Sequence, residues 1–135
     1  MKEVPKYWFR KYLCSAGEYR FYRALVEAVG GEYDVMMKVR VAAILSCDPD
    51  RWETDGRRVS QKEFDFVLVR KSSSCVVAAV ELDDRSHRAR QRRVRDEFLN
   101  SACERAGLPL LRVAVCRAYD CGDLRARVER LLVQA

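Results

Sequence analysis

The apolar positions of this chain follow two periods. In LCSAGEYRFYRALVEAVGG, Tyr22, Leu25 and Val29 recur at the three- and four-residue spacing of one helical face. Ser15 followed by Glu18 fits a capping box and Gly30-Gly31 a stop, which predicts a helix over about residues 15–29. YDVMMKVRVAAIL has Val35, Met37, Val39 and Val41 on one face and Asp34, Lys38 and Arg40 on the other, the pattern of a strand half exposed to water. SCDPDRWETDGRRVSQ carries Asp-Pro and Asp-Gly breakers among dense charge and reads as the longest loop. KEFDFVLVR and SCVVAAVELDD, joined by KSSS, read as a hairpin of central strands buried on both faces. RARQRRVRDEFLNSACERAG places Val94, Phe98, Ala102 and Ala106 at helical spacing, with Leu99 and Cys103 beside them and Gly107 as the stop. LPLLRVAV, opened by Pro109, is a further strand, and GDLRARVERLLV is a closing helix with Leu124, Val128, Leu131 and Leu132 on one face. The order αβββαβα predicts an α/β protein with a mixed four-stranded sheet flanked by helices.

Length sets the scale of this arrangement. The 135 residues, 49% of them hydrophobic, suit a single domain over residues 1–135. No run approaches a membrane span, and the N-terminus lacks the apolar centre of a signal peptide, so a soluble, cytoplasmic protein is expected. Six cysteines form no CxxC, and Cys116 with Cys121 is too little for a zinc site, so they read as reduced packing residues. A net charge of +6, rich in arginine, favours a polyanionic partner.

The chemistry concentrates in AVELDDRSHRARQRRVRD. Strand alternation points Glu81 and Asp83 to the same side, and Asp65 interrupts the apolar run of the partner strand, so three acids converge at one end of the hairpin. Burying carboxylates together costs several kcal/mol unless a cation offsets their repulsion. Oxygen ligands without neighbouring histidine or cysteine suit Mg2+ or Mn2+ better than zinc. Ordinary explanations stand beside this one: arginines pairing with the acids, Asp83 or Asp84 as a helix cap, the capping box for Glu18, a surface loop for His87. Arg88, Arg92 and Arg95 share a face of the following helix, either as a solvated stripe or as phosphate contacts. Arg112, alternating with Leu111 and Val113, faces the acids as a counter-charge or touches phosphate, and Asp96 supports the metal or pairs with Arg92.

FDFVLV followed by AVELDD resembles the two-strand core of the PD-(D/E)XK nuclease superfamily, the restriction-endonuclease-like fold. The longer string ELDDRSH, then RD in a helix, then AGLPLLRV, resembles the domain of unknown function family 2726, near the very-short-patch-repair endonucleases, over about Leu13 to Val115. The resemblance implies metal ligation by Asp65, Glu81 and the main-chain carbonyl of Leu82, with Glu18 matching the acid on the superfamily's first helix. Asp83 stands where the superfamily has lysine, which puts the ordinary chemistry in doubt and makes His87 the candidate for handling the proton. The expectation is a Mg2+- or Mn2+-dependent endonuclease acting on DNA, in repair or defence, with Glu18, Asp65, Glu81, Asp83 and His87 catalytic and Arg88, Arg92, Arg95 and Arg112 holding nucleic acid. The alternatives are a degenerate nuclease fold that binds nucleic acid or protein without cutting, and a module whose specificity comes from a protein partner.

Overall fold

Ser15 and Glu18 form the expected capping box. The Ser15 hydroxyl accepts the Glu18 N–H at 3.1 Å and the Glu18 carboxylate accepts the Ser15 N–H at 2.9 Å, which starts helix α1 (Ala16–Val29). The computed structural model describes residues 3–83 and 89–134, the side chains of 89–92 excepted. After α1 come β1 (Tyr33–Arg40), a short helix α2 (Arg57–Ser60), β2 (Glu63–Arg70), β3 (Val76–Asp83), α3 (Ala89–Ala106), β4 (Leu110–Ala114) and α4 (Cys121–Gln134). The sheet order is β1-β2-β3-β4, antiparallel until the last pair, where β3 and β4 run parallel. A parallel step needs a long crossover, and α3 supplies it. The α/β class and the mixed four-stranded sheet are as expected.

Two apolar layers hold the sheet. On one face Phe21 and Leu25 of α1 and Leu124 and Val128 of α4 pack on Phe66, Leu68, Ala78 and Val80. On the other, Leu99 and Cys103 of α3 join Val41, Val59, Phe64, Val67 and Ala79. Phe21 meets Phe66 edge-on at 5.2 Å, and each side chain so buried contributes about 1.5–3 kcal/mol. β2 and β3 are covered on both faces, as their unbroken apolar runs require.

β1 departs from the expected alternation. Val35 and Met37 pack with α1 and α4, whereas Val39 and Val41 belong to the opposite layer. The cause is Lys38, whose φ of 53° is left-handed and resets the phase of the strand. Met37 pairs with Phe66 and Val39 with Phe64, so Lys38 stands across from Asp65 where the pairing skips both. Phe64 and Phe66, two residues apart on β2, likewise fall in different layers. Both strands therefore change face at the level of the candidate acid.

Three further expectations are corrected. Residues 49–60 are not a loop: a 3-10 turn at Pro49–Arg51, a wide turn at Trp52–Gly56 and α2 follow without a break. Asp-Pro opens the first turn because Pro fits a first helical position, and Gly56 tolerates the second because it has no side chain. On α3 the buried seam is Leu99 and Cys103, while Val94 is exposed. Among the six free cysteines, Cys103 alone is fully buried and Cys121 packs against the core from its edge, whereas Cys75 and Cys116 are exposed. A Cβ at Gly56 would stand 2.2 Å from the Trp52 ring, so Gly56→Ala is expected to lower stability by about 1–3 kcal/mol in chemical denaturation. A neutral result would return the segment to an open loop.

Candidate functional site

The ladder between β2 and β3, irregular once between Leu68 and Val69, ends at the pair Phe66 and Val80. Beyond it the main-chain groups turn to side chains. The Asp65 N–H donates to Glu81 Oε2 at 3.0 Å, and the Leu82 N–H donates to Asp65 Oδ2 at 2.9 Å. Each acid thus satisfies an amide of the other strand's end, which fixes both carboxylates at one spot. Leu82 turns its N–H towards β2, and in an extended strand the carbonyl of the same residue turns the same way.

Glu81 is only 3% exposed, the one buried charged side chain among the described residues. Burial first, then the neighbouring Asp65, pushes its carboxyl up to about 8; the Asp65 N–H and the charge of Arg95 act the other way. The same burial, with Glu81 nearby, lifts the Cys103 thiol to about 11, which keeps it a packing group rather than a nucleophile. For Glu18, burial opposes ionisation, but the Ser15 hydrogen bonds and Lys38 outweigh it and hold the carboxyl below its ordinary value. Lys38 Nζ lies 3.8 Å from Glu18 Oε2.

A cavity of about 360 Å³ gathers most of the expected residues: Glu18, Asp65, Glu81, Leu82, Asp83, Arg95 and Arg112 all line it. The parallel register sets Arg112 beside Glu81, so its guanidinium reaches Asp83 at 3.0 Å, Asp96 at 3.4 Å and Asn100 at 3.0 Å. Of the two roles foreseen for Arg112 the counter-charge is the one this geometry displays, and Asp96 pairs with Arg112. His87 and Arg88 lie outside the described residues, and Arg92 lies on α3 with its side chain outside them. Five acids and two arginines line the cavity, so acidic groups outnumber basic ones there.

Lys38 and Asn100 carry no signal in the sequence. Lys38 reads as the water-facing side of a half-exposed strand until its left-handed backbone turns it to Glu18. Only the parallel register puts Asn100 beside Arg112. Among the described residues, no three His, Cys, Asp or Glu side chains converge as a ready-made metal cage. A magnesium ion does not require one, since it is commonly held by one or two carboxylates, water and substrate phosphate. The fit is therefore with that sparse kind of site: Asp65 and Glu81 are fixed together, and burial beside Asp65 raises the Glu81 carboxyl.

The raised carboxyl of Glu81 makes a pH prediction. Between the unfolded value near 4.3 and the folded value near 8 the folded chain binds more protons than the unfolded one, so the stability present below about pH 4 is lost as pH rises towards 8. Without metal, the melting temperature should fall between about pH 5 and pH 8, and Glu81→Gln should flatten that fall. A profile identical in both proteins would rule out Glu81 as its source.

No curated protein and no solved structure matches the chain. A family model described as a protein of unknown function (DUF2726) matches residues 10–131, somewhat beyond the Leu13 to Val115 over which the likeness was read. That span holds Glu18, the acids of β2 and β3 and the Arg112 cluster, and the chain belongs to this family.

Proposed function

We propose that the cavity at the ends of β2 and β3 is the active site of a Mg2+- or Mn2+-dependent nuclease that hydrolyses phosphodiester bonds in DNA, on a restriction-endonuclease-like core of the PD-(D/E)XK kind. The observation that carries the reading is Glu81, a buried carboxylate locked to Asp65 at the point where the strand ladder stops. Protein stability gains nothing from such a pair, since two acids without a cation repel and one must keep a proton. Asp65, Glu81 and the Leu82 carbonyl are the groups that would hold the ion. When bound, a divalent ion of this type polarises a phosphate and lowers the pKa of water.

The remaining residues have roles of their own. Arg95, at the cavity wall, attracts a phosphate that the acids would otherwise repel. Asp83, in the place of the superfamily's lysine, is held by Arg112 and shapes the wall rather than meeting the proton. Lys38 brings a cation to Glu18 from the neighbouring strand, and a left-handed backbone costing about 1–3 kcal/mol is the kind of strain that active sites retain. His87 remains the proposed proton carrier and Arg88 and Arg92 proposed phosphate contacts, on the sequence alone. A cytoplasmic setting and a protein partner supplying specificity belong to the same proposal; no helix among the described residues is long and apolar enough to cross a membrane.

A second reading is a nuclease fold that binds nucleic acid without cutting. The Asp83–Arg112 pair favours it, because the usual lysine is replaced by an acid already engaged. Millimolar Mn2+ separates the two. On the nuclease reading it raises the melting temperature, Asp65→Asn abolishes that rise, Glu81→Ala ends cleavage of DNA, and Lys38→Met slows cleavage while keeping the rise. No cleavage by the unaltered protein with an intact rise would leave the binding module.

The arginine stripe has a separate signature. Arg88→Ala, Arg92→Ala and Arg95→Ala together should flatten the slope of log affinity against log salt by about two to three units on duplex DNA, with Ca2+ present to prevent turnover. An unchanged slope would mean the stripe faces solvent.

A further inference from the structure

The first residues of the chain present an unusual surface. Tyr7, Trp8, Phe9 and Tyr12 are 90%, 82%, 88% and 73% exposed, on a segment with no regular secondary structure. Lys6, Arg10 and Lys11 interleave with them, and Lys11 Nζ sits 5.4 Å over the Tyr12 ring. Over residues 3–14, Glu3 is the only acid. None of these four rings joins either core layer, and an exposed apolar patch of this kind marks an interaction surface.

The arm also leads somewhere. A groove of about 860 Å³ runs between it, α1 and the outer strand β1, walled by Tyr12, Tyr19, Tyr22, Met36 and Met37. Ser15 lines this groove and also the acid cavity, so the two adjoin at the N-cap of α1. Tyr19 stacks on Tyr22 at 5.9 Å, and Tyr22 on Phe66 at 6.4 Å, which fixes the aromatic wall to the core.

We propose that this arm and groove bind a single-stranded polynucleotide and lead it to the acid cavity. Exposed rings stack on unpaired bases of any sequence, and the lysines and arginine among the rings neutralise phosphates; a duplex hides its base faces and offers the rings nothing. A membrane surface fits less well. It calls for an amphipathic helix with its apolar and basic residues on opposite faces, whereas here they alternate along an irregular segment. A protein partner would not explain the basic residues between the rings or the position of the groove beside a cavity walled by Arg95. The proposal deepens the nuclease reading by naming the strandedness of the substrate, and rests on it only for what happens at the end of the groove.

The full chain carrying Trp52→Phe keeps Trp8 as its one tryptophan. Titrated with oligothymidine in EDTA, so that nothing is cut, its emission should be quenched to saturation, with a duplex of equal length binding about tenfold more weakly or worse. Tyr7→Ala, Phe9→Ala and Tyr12→Ala together should weaken single-strand binding, measured by anisotropy, about fivefold or more for each stacked base lost, at an unchanged melting temperature. Absence of quenching, undiminished affinity in the triple variant, or Trp8 emission that responds to phosphatidylserine vesicles and not to oligothymidine would each overturn the proposal. Quenching by a protein that never cuts with Mn2+ would sink the nuclease reading and leave this one standing. Cleavage of single strands at full rate by the triple variant would do the reverse.

Discussion

Two carboxylates exchange main-chain hydrogen bonds across the end of a strand pair, and most of the site follows from that exchange. Asp65 takes the amide of Leu82 while Glu81 takes the amide of Asp65, in place of the ladder bonds that stop at Phe66 and Val80. Buried amides are thereby satisfied, but two acids are drawn together away from water. Glu81, at 3% exposure, keeps its proton to near-neutral pH because ionising it there costs more than water can return. The fold tolerates this arrangement because apolar packing on both sheet faces supplies stability that the site does not.

The neighbouring elements adjust to the same spot. Across from Asp65, Lys38 takes a left-handed backbone that moves β1 from one apolar layer to the other and turns its ammonium to Glu18. Glu18 in turn is held by Ser15, so the cap that starts α1 also fixes an acid at the cavity. On the far side the parallel register of β4 brings Arg112 between Asp83 and Asp96, where it cancels charge that would otherwise add to that of Asp65 and Glu81. Four strands and two helices thus meet at one place, each with a charged group whose position is set by main-chain geometry.

Charge is unevenly divided over the molecule, and the proposed polyanionic substrate is consistent with that division. Acids outnumber bases in the cavity walls, while the chain as a whole carries +6, with Lys6, Arg10 and Lys11 on the aromatic arm and Arg95 of α3 at the cavity. A phosphate chain would be attracted from a distance by the basic residues and would reach the acids only where a cation accompanies it.

The elements were legible in the sequence wherever a local pattern decided them. The capping box of Ser15 and Glu18, the unbroken runs of β2 and β3, the stop at Gly107 and the stripe of α4 each need only neighbours within a few residues, and each formed where read. Asp65 and Glu81 were likewise legible as a pair, since an acid inside an apolar strand stands out without any knowledge of the fold, whereas Leu82 was reached only through the family resemblance. What the pattern concealed depends on contacts distant in the chain. The change of face at Lys38 comes from a backbone angle that the sheet imposes, and alternation alone assigned Val39 and Val41 to the wrong side. The helical turns of 49–60 form because Val59 can bury beside Val41 and Phe64, which overrides breakers that act only locally. The partnership of Arg112 with Asp83 and Asn100 rests on a parallel register created by the α3 crossover. Local spacing determined which acids could act together; the tertiary structure decided which cations face them, because opposite charges meet here through strand pairing and not through sequence proximity.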